Sequence, residues 1–196
     1  MDAFEWHKYN NRIPKNSHAI FSPSKYSWVN YDEDKMVETY NNFQAKKLGT
    51  ELHETASMLI KHKILLPDIE KTLNMFVNDS IMANMRSEVL LYYSDLFYGW
   101  TDAIGIVDNV LHIYDLKTGK TKASMMQLEI YAAFFFLEYD LLPIDFDSIE
   151  LRIYQNDEVN KLNPTSEDIV PIMDKVQNVN RIIQRVRENE RRIVIS

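Results

Sequence analysis

Residues 99–119 read GWTDAIGIVDNVLHIYDLKTG, and the fold turns on Asp108 and Asn109 at the centre of that stretch. Both residue types tolerate positive φ, so the pair suits a two-residue hairpin turn between Ile104–Val107 and Val110–Tyr114. The register follows from the turn. Val107 opposes Val110, Ile106 opposes Leu111, Ile104 opposes Ile113, and, further out, Asp102 lies opposite Asp115. Facing carboxylates repel, and the repulsion falls sharply if a divalent cation sits between them. Lys117, two residues beyond Asp115, points to the same face. Apolar residues thus anchor one face of the hairpin, and charges emerge at its open end.

Working outward, three of the four glycines, Gly99, Gly105 and Gly119, fall within this one segment. Upstream, Ser22-Pro23 reads as a helix start with Ser22 as N-cap and Pro23 at the first helical position. From about 34 to 63 a long helical pattern is interrupted at Gly49, with Leu52, Ala56, Leu59 and Ile60 on one face. A further amphipathic helix is expected from about Pro67 to Met85. Strands follow at Glu88–Tyr93, Phe97–Trp100, Ile104–Val107 and Val110–Leu116. Then come a helix from Met125 to Tyr139, a strand at Ile149–Tyr154, and a charged helix from about Asp168 to Arg191. This order predicts an α/β fold with a central mixed sheet flanked by helices. One domain is expected over residues 1–196, with a helical part at 22–85, a core at 87–155 and a C-terminal helix at 168–192.

With 196 residues, 45% of them hydrophobic, the chain can bury one substantial core. Cysteine is absent, which excludes thiolate zinc sites, a cysteine nucleophile and a cysteine-ligated iron–sulfur cluster. No apolar run approaches the ~18 residues that span a bilayer, and no signal-like segment opens the chain, so a cytoplasmic protein without a membrane partner is expected. The formal charge of −7 disfavours binding nucleic acid by bulk attraction. Local patches would have to do so: Lys46-Lys47, the cluster Lys117, Lys120 and Lys122, or the run Arg181, Arg185, Arg187, Arg191 and Arg192. The first and third read equally well as solvated charges.

The grouping of Asp102, Asp115 and Lys117 suits phosphodiester hydrolysis. Hard carboxylate oxygens hold Mg²⁺ or Mn²⁺, and a nearby ammonium stabilises developing charge or positions the attacking water. Taken alone, Asp115-Leu116-Lys117 also fits an ordinary surface ion pair. The ordered set of motifs is more specific. Asp115-Leu116-Lys117 with upstream Asp102 resembles the core of RecB-like PD-(D/E)XK nucleases. Gly49-Thr50-Glu51-Leu52-His53 resembles that family's helical motif, and Gln127 to Tyr131 resembles its trailing Q-x-x-x-Y motif.

The resemblance implies a metal-dependent deoxyribonuclease with a restriction-endonuclease-like core. His53, Asp102, Asp115 and the Leu116 backbone carbonyl would bind one or two Mg²⁺ or Mn²⁺ ions, and Lys117, with Asp115 and Asp102, would carry catalysis. Glu88 resembles an acidic residue that some relatives use near the metal. Gln127 and Tyr131, four apart on one helix face, would serve the substrate side, as would Lys120 and Lys122. Taken alone, His53 and Tyr131 fit core packing as well. Trp28, Tyr92, Tyr93 and Trp100 are candidates for stacking on unpaired bases. Some relatives bracket this core with cluster-ligating cysteines, which this chain lacks. Nor is Gly119-Lys120-Thr121 a P-loop, since Tyr114 stands where the first glycine is needed, so no bound nucleotide is expected. Unwinding would fall to a helicase, and a recombinase or single-strand-binding protein is a further partner of this kind. Single-chain relatives of this size, including phage and mitochondrial members, are mostly exonucleases on DNA ends or single strands. The rival readings are a structure-specific or nicking endonuclease with the same site, a silent DNA-binding or assembly protein, and RNA as substrate.

Overall fold

The structure is a computed structural model that describes residues 18–195, with side chains from 18 to 190. Arg191 and Arg192 of the C-terminal basic run therefore lie outside the described side chains. The chain forms two compact units that divide between Lys47 and Leu48.

In the first unit, Pro23–Asn30 is a 3-10 helix where an ordinary helix start was expected. Ser22 does not cap it: its hydroxyl bonds to that of Ser24 at 2.8 Å, while its carbonyl accepts the Trp28 indole N–H at 3.0 Å. The helix α1, Glu33–Lys61, begins in this unit and ends in the second.

The expected interruption of α1 at Gly49 does not occur; the helix runs through it. A Cβ at Gly49 would lie 2.8 Å from Thr118 Oγ1, so the glycine serves close packing against the end of a strand. Two Schellman-type bonds stop the helix, Lys63 N–H to the Ile60 carbonyl at 3.1 Å and Ile64 N–H to the Leu59 carbonyl at 2.9 Å.

Next comes α2, Thr72–Met82, which starts five residues later than the Pro67 boundary expected from periodicity. The reason is tertiary. Ile69 and Lys71 close tight local turns onto the Pro67 and Ile69 carbonyls, and the Asp157 carboxylate accepts the Thr72 N–H at 2.9 Å and its hydroxyl at 3.1 Å. An acidic side chain distant in sequence thereby caps the positive end of the helix.

A five-stranded mixed sheet forms the centre of the second unit, with strands β1 (Arg86–Ser94), β2 (Phe97–Val107), β3 (Val110–Lys117), β4 (Ser148–Gln155) and β5 (Glu158–Leu162) lying side by side in chain order. All neighbours pair antiparallel except β3 and β4, which are parallel and joined through α3, Met126–Tyr139. The segments expected at Phe97–Trp100 and Ile104–Val107 are one continuous strand. The turn at Asp108 and Asn109 has φ of 48° and 59°, the left-handed pair that a two-residue hairpin requires. A second such turn, Asn156 and Asp157 at φ 55° and 61°, makes β5, which the sequence reading did not anticipate.

Helices cover both faces, making an α/β domain with a mixed sheet between helical layers. On one face Leu111, Ile113, Leu151 and Ile153 pack against Phe136 of α3 and Ile169 and Met173 of α4, Ser166–Ile195. On the other, Ala103, Tyr114, Leu116 and Tyr154 pack against Ala56 and Ile60 of α1 and Phe76 and Val77 of α2. Consequently β3 is buried on both faces.

Asp157 is held down to about 2, first by its hydrogen bond from Lys71 and then by the Thr72 N–H. A lowered carboxylate stabilises the fold above its unfolded value near 4, and that contribution is lost as pH falls toward 2. Asp157→Ala is therefore expected to speed amide exchange in the first turn of α2 at neutral pH. Wild type should approach the variant between pH 4 and 2, and equal exchange at pH 7 would refute the tertiary cap.

Candidate active site

The β2–β3 ladder has the register that the turn dictates, from Val107↔Val110 through Ile104↔Ile113 to Ala103↔Tyr114. It ends there, one step short of Asp102 and Asp115. The reason is local: Asp102 uses Oδ2 to accept the Leu116 N–H at 2.8 Å, replacing a strand partner with a carboxylate. Asp102 Oδ1 faces His53 Nδ1 of α1 at 3.1 Å.

Asp115 projects from the doubly covered strand and is almost wholly buried, its side chain 5% exposed. The Lys117 ammonium lies 3.1 Å from its Oδ1 and 2.9 Å from its Oδ2. Hydrogen-bond geometry is met only at Oδ1, so Oδ2 is a buried oxygen with a charge beside it and no hydrogen bond. Burial first, and the Asp102 charge second, push the Asp115 carboxyl up to about 6 despite Lys117. His53 is also raised, chiefly by its hydrogen bond to Asp102 against the opposing effect of burial, which favours an imidazolium–carboxylate pair.

Lys117 is held from a second side. The Gln127 side-chain carbonyl, in the first turn of α3, accepts from its ammonium at 2.9 Å. Tyr131, one turn on, is half-buried, and burial raises its phenol against the opposing effect of the neighbouring Gln127 amide. Gly99 makes this placement possible, because a Cβ there would lie 2.8 Å from Tyr131 Cε1. His53, Asp102, Asp115, Lys117, Gln127 and Tyr131 thus form one connected group. As the side chains stand they engage one another, and among the described residues no three His, Asp or Glu side chains converge closely enough to hold a metal ion.

Other expected residues lie apart. Glu88 falls opposite Asp102 in the β1–β2 register, between Ser87↔Ala103 and Val89↔Thr101, but the ladder skips this pair. Glu88 has φ 50°, and its carboxylate pairs with Lys61 at 3.3 Å. Lys120 and Lys122 are exposed on the loop after β3. That loop is fastened by Gln155, a residue the sequence reading missed: its buried amide donates to the Gly119 and Thr121 carbonyls and accepts the Ala123 N–H at 3.1 Å. The only available signal was a glutamine ending an alternating strand. Of the aromatic candidates, Tyr92 stacks on Tyr98 with ring centroids 6.0 Å apart, Tyr93 packs on the core, Trp28 meets Phe21 edge-on and Trp100 is exposed. Arg187 of the C-terminal run pairs with Asp95 at 2.7 Å.

An α/β domain that gathers two aspartates, a histidine and a lysine at one end of a mixed sheet is the class this geometry defines. The family model described as "Protein of unknown function (DUF2800)" matches residues 30–185, and the chain belongs to that family. No curated protein and no solved structure matches the chain. Among the described residues no helix is long and apolar enough to cross a membrane.

A carboxyl raised in the fold binds its proton more tightly there than in the unfolded chain, so Asp115 lowers stability as pH rises from about 4 through about 6. Above that range the penalty is on the order of 2–3 kcal/mol. Asp115→Asn is expected to resist denaturant better than wild type at pH 8 in EDTA, with the difference shrinking toward pH 4. A variant less stable than wild type at pH 8 would show that the Lys117 ion pair outweighs burial.

Proposed function

We propose that this protein is a metal-dependent nuclease that hydrolyses phosphodiester bonds in DNA, acting on ends or single strands as an exonuclease. The observation that carries this reading is the buried Asp115, with one oxygen left without a hydrogen bond, beside an ammonium that Gln127 holds in place. The donor set suits a hard or borderline divalent ion in kind: an imidazole nitrogen and two carboxylates, one of them raised by burial and by its neighbour's charge.

His53, Asp102, Asp115 and the Leu116 carbonyl would hold Mg²⁺ or Mn²⁺. The bound ion would polarise the phosphate and lower the pKa of water. Lys117 orients the attacking water or stabilises charge developing on the phosphate, and Gln127 restricts its ammonium to that position. The Leu116 N–H keeps one Asp102 oxygen fixed, leaving Oδ1 toward His53. Tyr131 offers a phenol on the substrate side of α3. The similarity of the ordered motifs to RecB-like nucleases supports the same chemistry.

The test incubates wild type and Lys117→Ala with linear, closed circular and single-stranded DNA, each with Mn²⁺, Mg²⁺ or EDTA. Wild type should degrade linear and single-stranded DNA only with metal, and Lys117→Ala should be slower by about 10²–10³-fold. Equal rates in the two proteins would sink the mechanism, and cutting of closed circles would replace the exonuclease by an endonuclease.

A further inference from the structure

Away from the candidate active site, a cleft of about 810 Å³ opens between the end of α1, the end of α2 and the start of β1. Lys61, Lys63 and Arg86 line it, with Glu88 the one acidic residue on its wall. Lys61 pairs with Glu88 at 3.3 Å and Lys63 donates only to the neutral Asn84 amide oxygen at 3.1 Å. Among the described residues no carboxylate lies within ion-pair distance of Lys63 or Arg86. The cleft is thus locally cationic in a chain whose net charge is −7.

Its backbone is unusual as well. The described non-glycine residues with positive φ are Lys63, Asn84, Glu88, Asp108, Asn109, Asp140, Asn156 and Asp157. All are Asp or Asn, the types that tolerate this region, except Lys63 and Glu88, and both of these line the cleft. Asn84 fills the same left-handed position after α2 that Lys63, at φ 55°, fills after α1. A helix dipole accounts for basic residues near a helix end, but not for lysine at the one position where glycine or asparagine is favoured. Strain retained at such a site points to use of the side chain.

Along α1 the cleft lies about two turns beyond the candidate active site. His53, Ser57 and Lys61 follow one another at four-residue steps along α1, and Ser57 is bonded to Ser87 beside Glu88 at 3.0 Å. Lys61 therefore stands about 12 Å along the helix from His53, the length of three or four stacked nucleotides at about 3.4 Å each. On the other face of the sheet, a hollow of about 310 Å³ lined by Phe135, Tyr139 and Leu141 shares Arg86, Val89, Gly105 and Ile106 with the cleft. A chain that rounds the sheet edge at Arg86 would meet cations for its phosphates and then an aromatic wall for its bases, a path that suits a flexible single strand.

We infer that this cleft binds the single-stranded part of a polynucleotide, with Lys61, Lys63 and Arg86 on consecutive phosphates and Tyr139 against an unpaired base. The inference rests on the nuclease reading for the identity of its ligand. The test measures binding of a fluorescein-labelled 20-nucleotide oligo-dT by anisotropy in EDTA, across a salt series. Lys63→Gly should raise Tm by about 2–4 °C by relieving the left-handed strain. It should nevertheless weaken binding about threefold, a combination that a purely structural lysine would not produce. Lys63→Arg should bind like wild type. Combining Lys63→Gly with Arg86→Ala should weaken binding roughly tenfold and make the slope of log affinity against log salt shallower by about 1.4. Tyr139→Ala should weaken the single strand and spare a duplex of the same length, and equal loss on both would overturn the single-strand assignment. Wild-type affinity and salt slope in the double variant, or no oligonucleotide binding by wild type, would overturn the cleft. Lys63-dependent binding without cleavage under any metal would leave the cleft standing and remove the nuclease, whereas Lys117-dependent cleavage with normal binding by the double variant would do the reverse.

Discussion

A carboxylate kept almost out of water at the end of a strand covered on both faces is the constraint around which the second unit is arranged. Asp115 belongs to β3, and β3 can be buried on both sides only because α3 and α4 cover one face of the sheet while α1 and α2 cover the other. Removing a carboxylate from water is unfavourable unless charge and hydrogen bonds replace the solvent. Lys117 supplies the charge and one hydrogen bond, and Gln127 holds Lys117, yet one Asp115 oxygen still has no hydrogen bond. The hydrogen bonding of the site is therefore incomplete even with the ion pair in place, and the proposed chemistry rests on that feature.

Several features of the fold make sense as conditions for that arrangement. Gly49 lets α1 approach Thr118, just after the lysine, and so brings His53 alongside Asp102. Gly99 lets Tyr131 lie over β2, which sets α3 at the depth where Gln127 reaches Lys117. Gln155 ties down the loop that follows β3. Each is a local choice made costly or awkward by itself and explained by what it lets approach. A glycine inside a long helix weakens that helix, and a glutamine amide buried at a strand end needs partners for all its polar atoms.

The cationic cleft extends the same logic. A chain with net negative charge that handles a polyanion must confine its attraction to a narrow track, because a diffuse field would repel the ligand. Lys63 and Glu88, held in a backbone conformation unsuited to their side chains, flank the end of α1, so the proposed track and the candidate site share that helix. The proposed chemistry and the proposed strand path thus depend on one placement of α1 against the sheet within the second unit.

Much of this was legible in residue order because it is local. Asp108-Asn109 specifies a left-handed turn, the turn specifies a register, and the register carries Asp102 to the neighbourhood of Asp115 and Lys117 without help from the rest of the chain. The α/β class followed from alternation and periodicity in the same way. What residue order left undecided involves groups that meet across long separations. Periodicity placed the start of α2 at Pro67, but Asp157, eighty-five residues beyond Thr72, sets it. Gly49 looked like a helix break until Thr118 arrived beside it. Glu88 looked like a companion to the aspartates, yet its backbone turns left-handed and its carboxylate goes to Lys61. By itself the sequence determined the hairpin and the chemical identity of the group at its end. Only the tertiary structure decided how deeply Asp115 is buried and which side chains restrain it, because burial and close approach belong to surfaces brought together by packing, and no local pattern records them.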